Sequence, residues 1–391
     1  MQTLNVKFLY AYKFISQCLP IYAFYAILFI ERGLSVADVA VLIALWSLFS
    51  IIFQTPAGIL ADRWNRRNML SISALLQGAC FAVWFFSQTF FMFALGFLLW
   101  ALSGTFASGT EEGLIYDNLK SDGREEDFTK VYGKAQFFAN MGMVFAILSA
   151  GAVVSFVDIG SFALVSVGIS LFSAVLALQI REKNYYAEQP KEKSDNFFKT
   201  FKEAASFLKG STIALVSVLF VVLFASTIGN YLDEFDALII NDFGLDNAWV
   251  SVIFAVRFIF IAIGDILAPI VRKKVSSIRR IFPLSFLSYI VLAVFSTLWG
   301  QYVLLIFGFA CMVAAISEIL LIDTLQSEIK EEGRATVMSF IGVGQNIVMI
   351  CFSLAYAWMV GVLPLQHVYI IISIYGVIGS LIFFLLFNRT N

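Results

Sequence analysis

Charge is scarce in this sequence. Only 14% of its 391 residues are Asp, Glu, Lys or Arg, against about a quarter in an ordinary water-soluble chain. Sixty per cent are apolar, including 42 phenylalanines, and a soluble domain could not hide that much apolar surface from water. The formal net charge is −1 and the basic residues are scattered over short segments, so no basic patch for nucleic acid is present. There is a single histidine, His367. The four cysteines, Cys18, Cys80, Cys311 and Cys351, fall inside apolar runs without paired-ligand spacing and read as small buried hydrophobes. No metal site and no cofactor is expected. A P-loop is missing, as is any polar segment large enough for a nucleotide domain, so ATP hydrolysis and enzymatic activity are not expected.

Long apolar runs fill the space that charge leaves. A bilayer core of ~30 Å needs about 20 helical residues per crossing. Runs of that size lie near 8–30, 37–61, 69–88, 91–116, 129–156 and 160–180, and again near 211–240, 248–270, 281–299, 301–322, 336–360 and 366–388. The reading is an all-α membrane protein of twelve spans. The first run is too long for a signal core and has no small-residue cleavage site after it, so it reads as span one. Residues 1–181 form one block of six spans, 182–210 a polar linker, and 211–391 a second block. Within the linker, 196–209 has aromatics on one helical face and lysines on the other, which suits either a helix lying on the membrane surface or a solvated linker. With both termini inside, 23 of the 26 Lys and Arg residues fall on cytoplasmic loops or helix ends, the exceptions being Lys13, Arg32 and Arg257. The positive-inside bias therefore fixes the orientation.

Between spans two and three lies a charged hinge, Gly58-Ile59-Leu60-Ala61-Asp62-Arg63-Trp64-Asn65-Arg66-Arg67. It resembles the signature loop of the major facilitator superfamily, roughly G-x-L-a-D-r-x-G-r-[RK]. Gly58, Leu60, Asp62, Arg63, Arg66 and Arg67 match. Asn65 replaces the usual glycine, and asparagine is the next most tolerant residue of a left-handed turn.

The two blocks repeat one another. Glu112 to Leu119 reads like Glu318 to Leu325 at an offset of 206 residues, and at that offset Gly58 meets Gly264, Arg66 meets Arg272, and Arg67 meets Lys273. Gly33-Leu34 and Gly244-Leu245 match at an offset of 211, while Asp62 meets Ala268 near the 206 register and has no acidic partner. Two similar six-helix blocks suggest two bundles related by a pseudo-twofold axis. The resemblance implies the major facilitator arrangement, with a substrate site between the bundles and transport by rocking of one against the other.

Ionisable residues inside spans are costly and usually functional. Three groups stand out. By resemblance, Gly58, Asp62, Arg63, Arg66 and Arg67 help latch the cytoplasmic side, with Asp117 as partner acid and Asp323 serving Arg272 and Lys273; the alternative is that these charges only set topology. Glu111, Glu112 and Glu318 lie about one and a half turns inside the cytoplasmic ends of spans four and ten, as structural ion pairs or as proton acceptors. Asp233, Glu234 and Asp236 occupy the outer half of span seven, at the depth of Arg257 in span eight. An acid paired with a movable arginine makes a proton switch, because breaking the pair in an apolar setting favours the neutral acid. The bland alternative is a cluster wetted at the outer mouth. Asp265 suits either gate or cavity, and Lys13 is expected to snorkel towards the inner surface. Tyr22, Tyr25, Gln54, Gln136, Asn140, Gln345 and Asn346 are candidates to line a cavity. Gly142 and Gly151 are expected to allow close helix contacts.

The resemblance and the charges together lead to a secondary transporter in a bacterial-type plasma membrane, monomeric, moving a small-molecule substrate with protons. Export of small amphipathic compounds is the first reading. Two departures from the family's proton-exchanging drug exporters count against it: no proline follows Gly133 in span five, and span four has no arginine at its middle. The alternatives are an uptake symporter and a non-transporting sensor or flippase-like protein.

Overall fold

The structure is a computed structural model, which describes residues 6–61, 64–108, 110–124, 127–182, 211–275, 277–328 and 331–389. Asp62 and Arg63 lie outside the described residues, as does the expected surface helix at 196–209. Every regular element among the described residues is helical. The chain divides into two compact units, Met1–Asp195 and Asn196–Asn391.

The first unit holds α1 (Val6–Gln17), α2 (Tyr25–Glu31), α3 (Val36–Ala61), α4 (Arg66–Phe86), α5 (Phe90–Ala107), α6 (Thr110–Ser121), α7 (Phe128–Val153) and α8 (Ile159–Gln179). Span one was expected to be one rod. It is interrupted instead by a 3-10 turn at Pro20–Ala23, because Pro20 has no N–H to continue the α ladder. The run expected at 91–116 is likewise divided into α5 and α6. α4 packs on α5 and α8, α3 on α5, and α1 on α7.

The second unit holds α9 (Thr212–Phe220), α10 (Asp236–Asp242), α11 (Ala248–Arg272), α12 (Ile278–Leu298), α13 (Leu304–Glu328), α14 (Glu331–Val362) and α15 (Leu365–Arg389). Its packing repeats that of the first: α12 on α13 and α15, and α11 on α13. Small details repeat too. Ser73 and Ser103 clasp α4 to α5, and the Ser285 hydroxyl lies 2.8 Å from that of Ser317, joining α12 to α13. Gly33 and Gly244 both take positive φ, 93° and 65°, just past a helix end. In each case the next N–H reaches back five residues, from Leu34 to Phe29 and from Leu245 to Ile240. That is the Schellman stop, which requires a left-handed residue.

Eleven helices among the described residues are long and apolar enough to cross a membrane, or up to twelve when the bent pair Thr212–Ala225 and Thr227–Ile240 is taken as one span. That pair is span seven, and its halves meet at 41°. After α9 the chain widens into π-helical turns at Val221–Ala225 and Thr227–Tyr231, then tightens into a 3-10 turn at Asp233–Phe235. Wide turns leave carbonyls poorly matched, and in hydrocarbon an orphaned carbonyl is expensive. Here three tyrosines, two of them buried, supply donors in succession. Tyr231 donates to the Val222 carbonyl at 2.8 Å, Tyr375 to Leu223 at 2.8 Å and Tyr289 to Phe224 at 2.7 Å. Tyr289 fits against α15 because Gly376 has no Cβ to collide with its ring. Replacing Tyr289 by Phe removes one donor and leaves the ring, so the protein should unfold about 1–2 kcal/mol more easily in detergent, read from denaturation midpoints.

Candidate functional site

The hinge charges meet α6. The Arg66 guanidinium lies 2.8 Å from the Asp117 carboxylate, with the two side chains 25% and 9% exposed. Gly113 makes this possible: a Cβ there would overlap the Arg66 guanidinium, so the arginine lies across a bare stretch of helix to reach the acid one turn on. Asp117 sits beyond the apolar window of span four, and burial pushes its carboxyl above the ordinary range, the pull of Arg66 notwithstanding. At the start of α4 the Glu182 carboxylate accepts from the Arg66 and Arg67 N–H groups at 2.8 and 3.2 Å. It satisfies donors that the Asn65 N-cap side chain leaves unbonded.

The second unit repeats the pair at the same offset. Arg272 Nε lies 2.7 Å from Asp323, and Arg272 also donates to Thr324 Oγ1 at 3.2 Å. Asp323 is 57% exposed, so this copy is wetter. Lys273 is exposed and forms no ion pair among the described residues. Gly264 brings α11 against α13, where a Cβ would come within 2.7 Å of the Met312 carbonyl oxygen. Gly58 and Glu112 are placed on α3 and α6 by their backbone alone. Lys13 does not snorkel. It is buried and ion-paired with Glu111, an acid that α6 brings within its reach.

The outer-half cluster is more differentiated than its spacing suggests. Arg257 and Asp236 are fully buried and paired at 2.7 Å. The other arm of Arg257 donates to the carbonyls of Ile228, at short range, and Gly229, at 2.8 Å. One guanidinium thus neutralises an acid and closes the second wide turn of span seven. The sequence places Asp233, Glu234 and Asp236 together at the depth of Arg257. Only Asp236 takes the ion pair, while Asp233 Oδ1 is buried without a hydrogen bond. Asp233 and Glu234 fall in the 3-10 turn before the helix resumes.

For Glu318 the sequence leaves open a structural ion pair or a proton acceptor. It forms no ion pair among the described residues. Its Oε1 instead accepts from Ser226 Oγ and Asn230 Nδ2, both at 3.0 Å, and Gln345 Nε2 donates to Ser226 Oγ at 2.9 Å. The broken span seven therefore takes part in an ion pair through Asp236 and in a network of an acid, a hydroxyl and two amides through Ser226 and Asn230.

The remaining candidates scatter. Tyr25 is 4% exposed, inside an aromatic cluster with Phe29, Trp84, Phe97 and Trp100, so it serves packing and not an open surface. Tyr22 meets Trp100 edge-on. Gln136 donates to Tyr132 on its own helix, and Asn346 to the Gly342 carbonyl. Gln54 is half-buried with Oε1 unbonded among the described residues, whereas Asn140 and Asp265 are exposed. Gly142 allows the close contact expected of it, since a Cβ there would strike the Phe14 carbonyl. Sequence reasoning missed Glu182, Gly113, Ser226, Asn230 and the three tyrosines. Only the pairing of Asn230 with a nearby in-span acid offered a signal.

The match to known families now decides the class. Residues 14–329 match the family model described as the Major Facilitator Superfamily. The chain belongs to the major facilitator superfamily. A curated relative, the uncharacterized MFS-type transporter YfkF of Bacillus subtilis (strain 168), is 39% identical over 64 residues, which cover 16% of this chain and only 15% of that relative's length. Among solved structures, the nucleoside transporter NupG superposes with a TM-score of 0.81 at 14% identity, covering 98% of this chain and 99% of that one. A D-xylose-proton symporter gives 0.69 at 14% identity, with 97% and 95% covered. At such identities the likeness shows the fold. As a member of this superfamily the chain is a multi-pass membrane transporter. In double-mutant cycles on stability, the Arg66–Asp117 pair should couple by about 1–2 kcal/mol. The wetter Arg272–Asp323 pair should couple by less than about 1 kcal/mol.

Proposed function

We propose that this transporter is a proton-coupled exporter of small amphipathic molecules, cationic or neutral, acting as a monomer in a bacterial-type plasma membrane with both termini cytoplasmic. The Arg257–Asp236 pair carries the coupling part of this reading. Both groups are fully buried, and Asp233 lies three residues from Asp236 with an unbonded oxygen. While the pair holds, Asp236 stays ionised. When Arg257 moves away, an ionised acid in apolar surroundings is costly and the neutral form wins, so the acid takes up a proton. Because the same guanidinium also holds the carbonyls of Ile228 and Gly229, protonation loosens span seven at its bend. The proton and the conformational change are thereby linked through one side chain. Substrate preference follows from the sign of the interior: the in-span acids favour cations and neutral molecules over anions. The distribution of basic residues supports cytoplasmic termini. The Arg66–Asp117 and Arg272–Asp323 pairs are assigned the cytoplasmic latch.

A second reading is uptake by proton symport. It is favoured by span five, which has no proline from Gly133 to Gly151 where exporters of the superfamily often carry a Gly-Pro pair. Vesicles of opposite orientation separate the two. Export predicts accumulation of labelled substrate in inside-out vesicles with an acid lumen. Symport predicts accumulation in right-side-out vesicles with an acid exterior. In either orientation Asp236→Asn should bind substrate yet lose acceleration by the imposed gradient. A variant whose transport tracks the gradient as the wild type does would remove Asp236 from the coupling.

A further inference from the structure

Three of the buried or half-buried acids in this fold are given a cation by the protein. Glu111 has Lys13, Asp117 has Arg66 and Asp236 has Arg257. Glu318 is treated differently. In the first unit, span one reaches Glu111 of span four, the neighbour of the Glu112 that matches Glu318 in the repeat, with a lysine; in the second, span seven reaches Glu318 of span ten with a hydroxyl and an amide, Ser226 and Asn230. Both bind the same oxygen, Oε1. Oε2 receives no hydrogen bond from the described residues. Gly229 lies beside Oε2, and an added Cβ there would stand 3.3 Å from that oxygen. Asp265 adds negative potential from α11, and no basic side chain forms an ion pair with Glu318 among the described residues. Gln345 holds Ser226, so the network that orients Oε1 is itself fixed.

We propose that Glu318 Oε2 is a receptor for the protonated amine of the substrate, so that the transported molecule supplies a cation that no described basic side chain of the protein gives this acid. Ser226, Asn230 and Gln345 are positioning residues: they hold one carboxylate oxygen and turn the other outward. Gly229 sets how closely the ammonium can approach. A charge-assisted hydrogen bond at this oxygen discriminates an organic ammonium from a neutral molecule of the same shape. The inference rests on the transporter reading above but needs neither proton coupling nor a direction of transport.

Equilibrium binding to the purified full chain in lipid nanodiscs tests it without a gradient. The probes are tryptamine and its neutral counterpart tryptophol, matched in ring and chain length. The wild type should bind tryptamine more tightly, and Glu318→Gln should lose about 10- to 100-fold in tryptamine affinity while tryptophol is little affected. Gly229→Ala keeps the carboxylate and narrows its approach, so it should weaken tryptamine selectively. It decides the matter if Glu318→Gln fails to fold, as judged by its thermal unfolding. Equal binding of both probes by the wild type, no tryptamine binding at all, or an unchanged preference in both variants would each overturn the receptor. Such a result beside a gradient-insensitive Asp236→Asn would leave proton coupling standing. The reverse pattern would leave the amine receptor standing and remove the coupling.

Discussion

A backbone carbonyl surrounded by hydrocarbon must find a donor inside the protein, and span seven is where this requirement is hardest to meet. An unbroken α-helix meets it with its own N–H groups. Span seven exchanges the α ladder for wider π turns over about two turns, and side chains add donors to its carbonyls. Tyr231, Tyr375 and Tyr289 bond three consecutive carbonyls, and Arg257 bonds two more. The bend is therefore a property of the whole second unit, held by α11, α12 and α15 as much as by its own sequence. Glycines at 376 and 379 make room for Tyr289 and Phe224 in the same region. Pro20 interrupts span one at the equivalent place in the first unit by the simpler means of deleting a donor.

The electrostatics follow from that arrangement. A buried arginine is tolerable because Asp236 and two carbonyls share its protons, and a buried acid is tolerable because the arginine faces it. The two units keep a common clasp, Arg66 with Asp117 and Arg272 with Asp323, yet differ in their interiors. The first holds a closed Lys13–Glu111 pair and an aromatic cluster around Tyr25 and Trp84. The second concentrates its charge around a broken helix. Duplication supplied the frame, and the charges within it have diverged.

Much of the frame was legible in the sequence because hydrophobic length and charge asymmetry are one-dimensional signals. The spans, the hinge, the repeat at an offset of 206 and the Arg66–Asp117 and Arg272–Asp323 pairs could all be read from spacing. Contacts made across helices could not. Glu182 lies more than a hundred residues from the helix start it caps, and nothing local marks it as a cap. Gly113 looks like an indifferent glycine until Arg66 is seen to occupy the place of its side chain. The bend of span seven was invisible for a related reason. A π-helical turn has no strong residue signature, and the tyrosines that sustain it lie up to 152 positions away. Lys13 was misjudged because snorkelling assumes that water is the nearest partner, whereas α6 brings Glu111 within its reach.

The wide turns of span seven also change its phase. Each π turn adds a residue without adding a full helical step, and one residue corresponds to about 100° of rotation about the axis. Whatever lies beyond the bend is thus swung round relative to the face that α9 presents. Straightened into a regular helix, the same sequence would point Asp236 along a different azimuth from the one on which Arg257 waits. The counter-ion is met only because the rod has slipped out of step with itself.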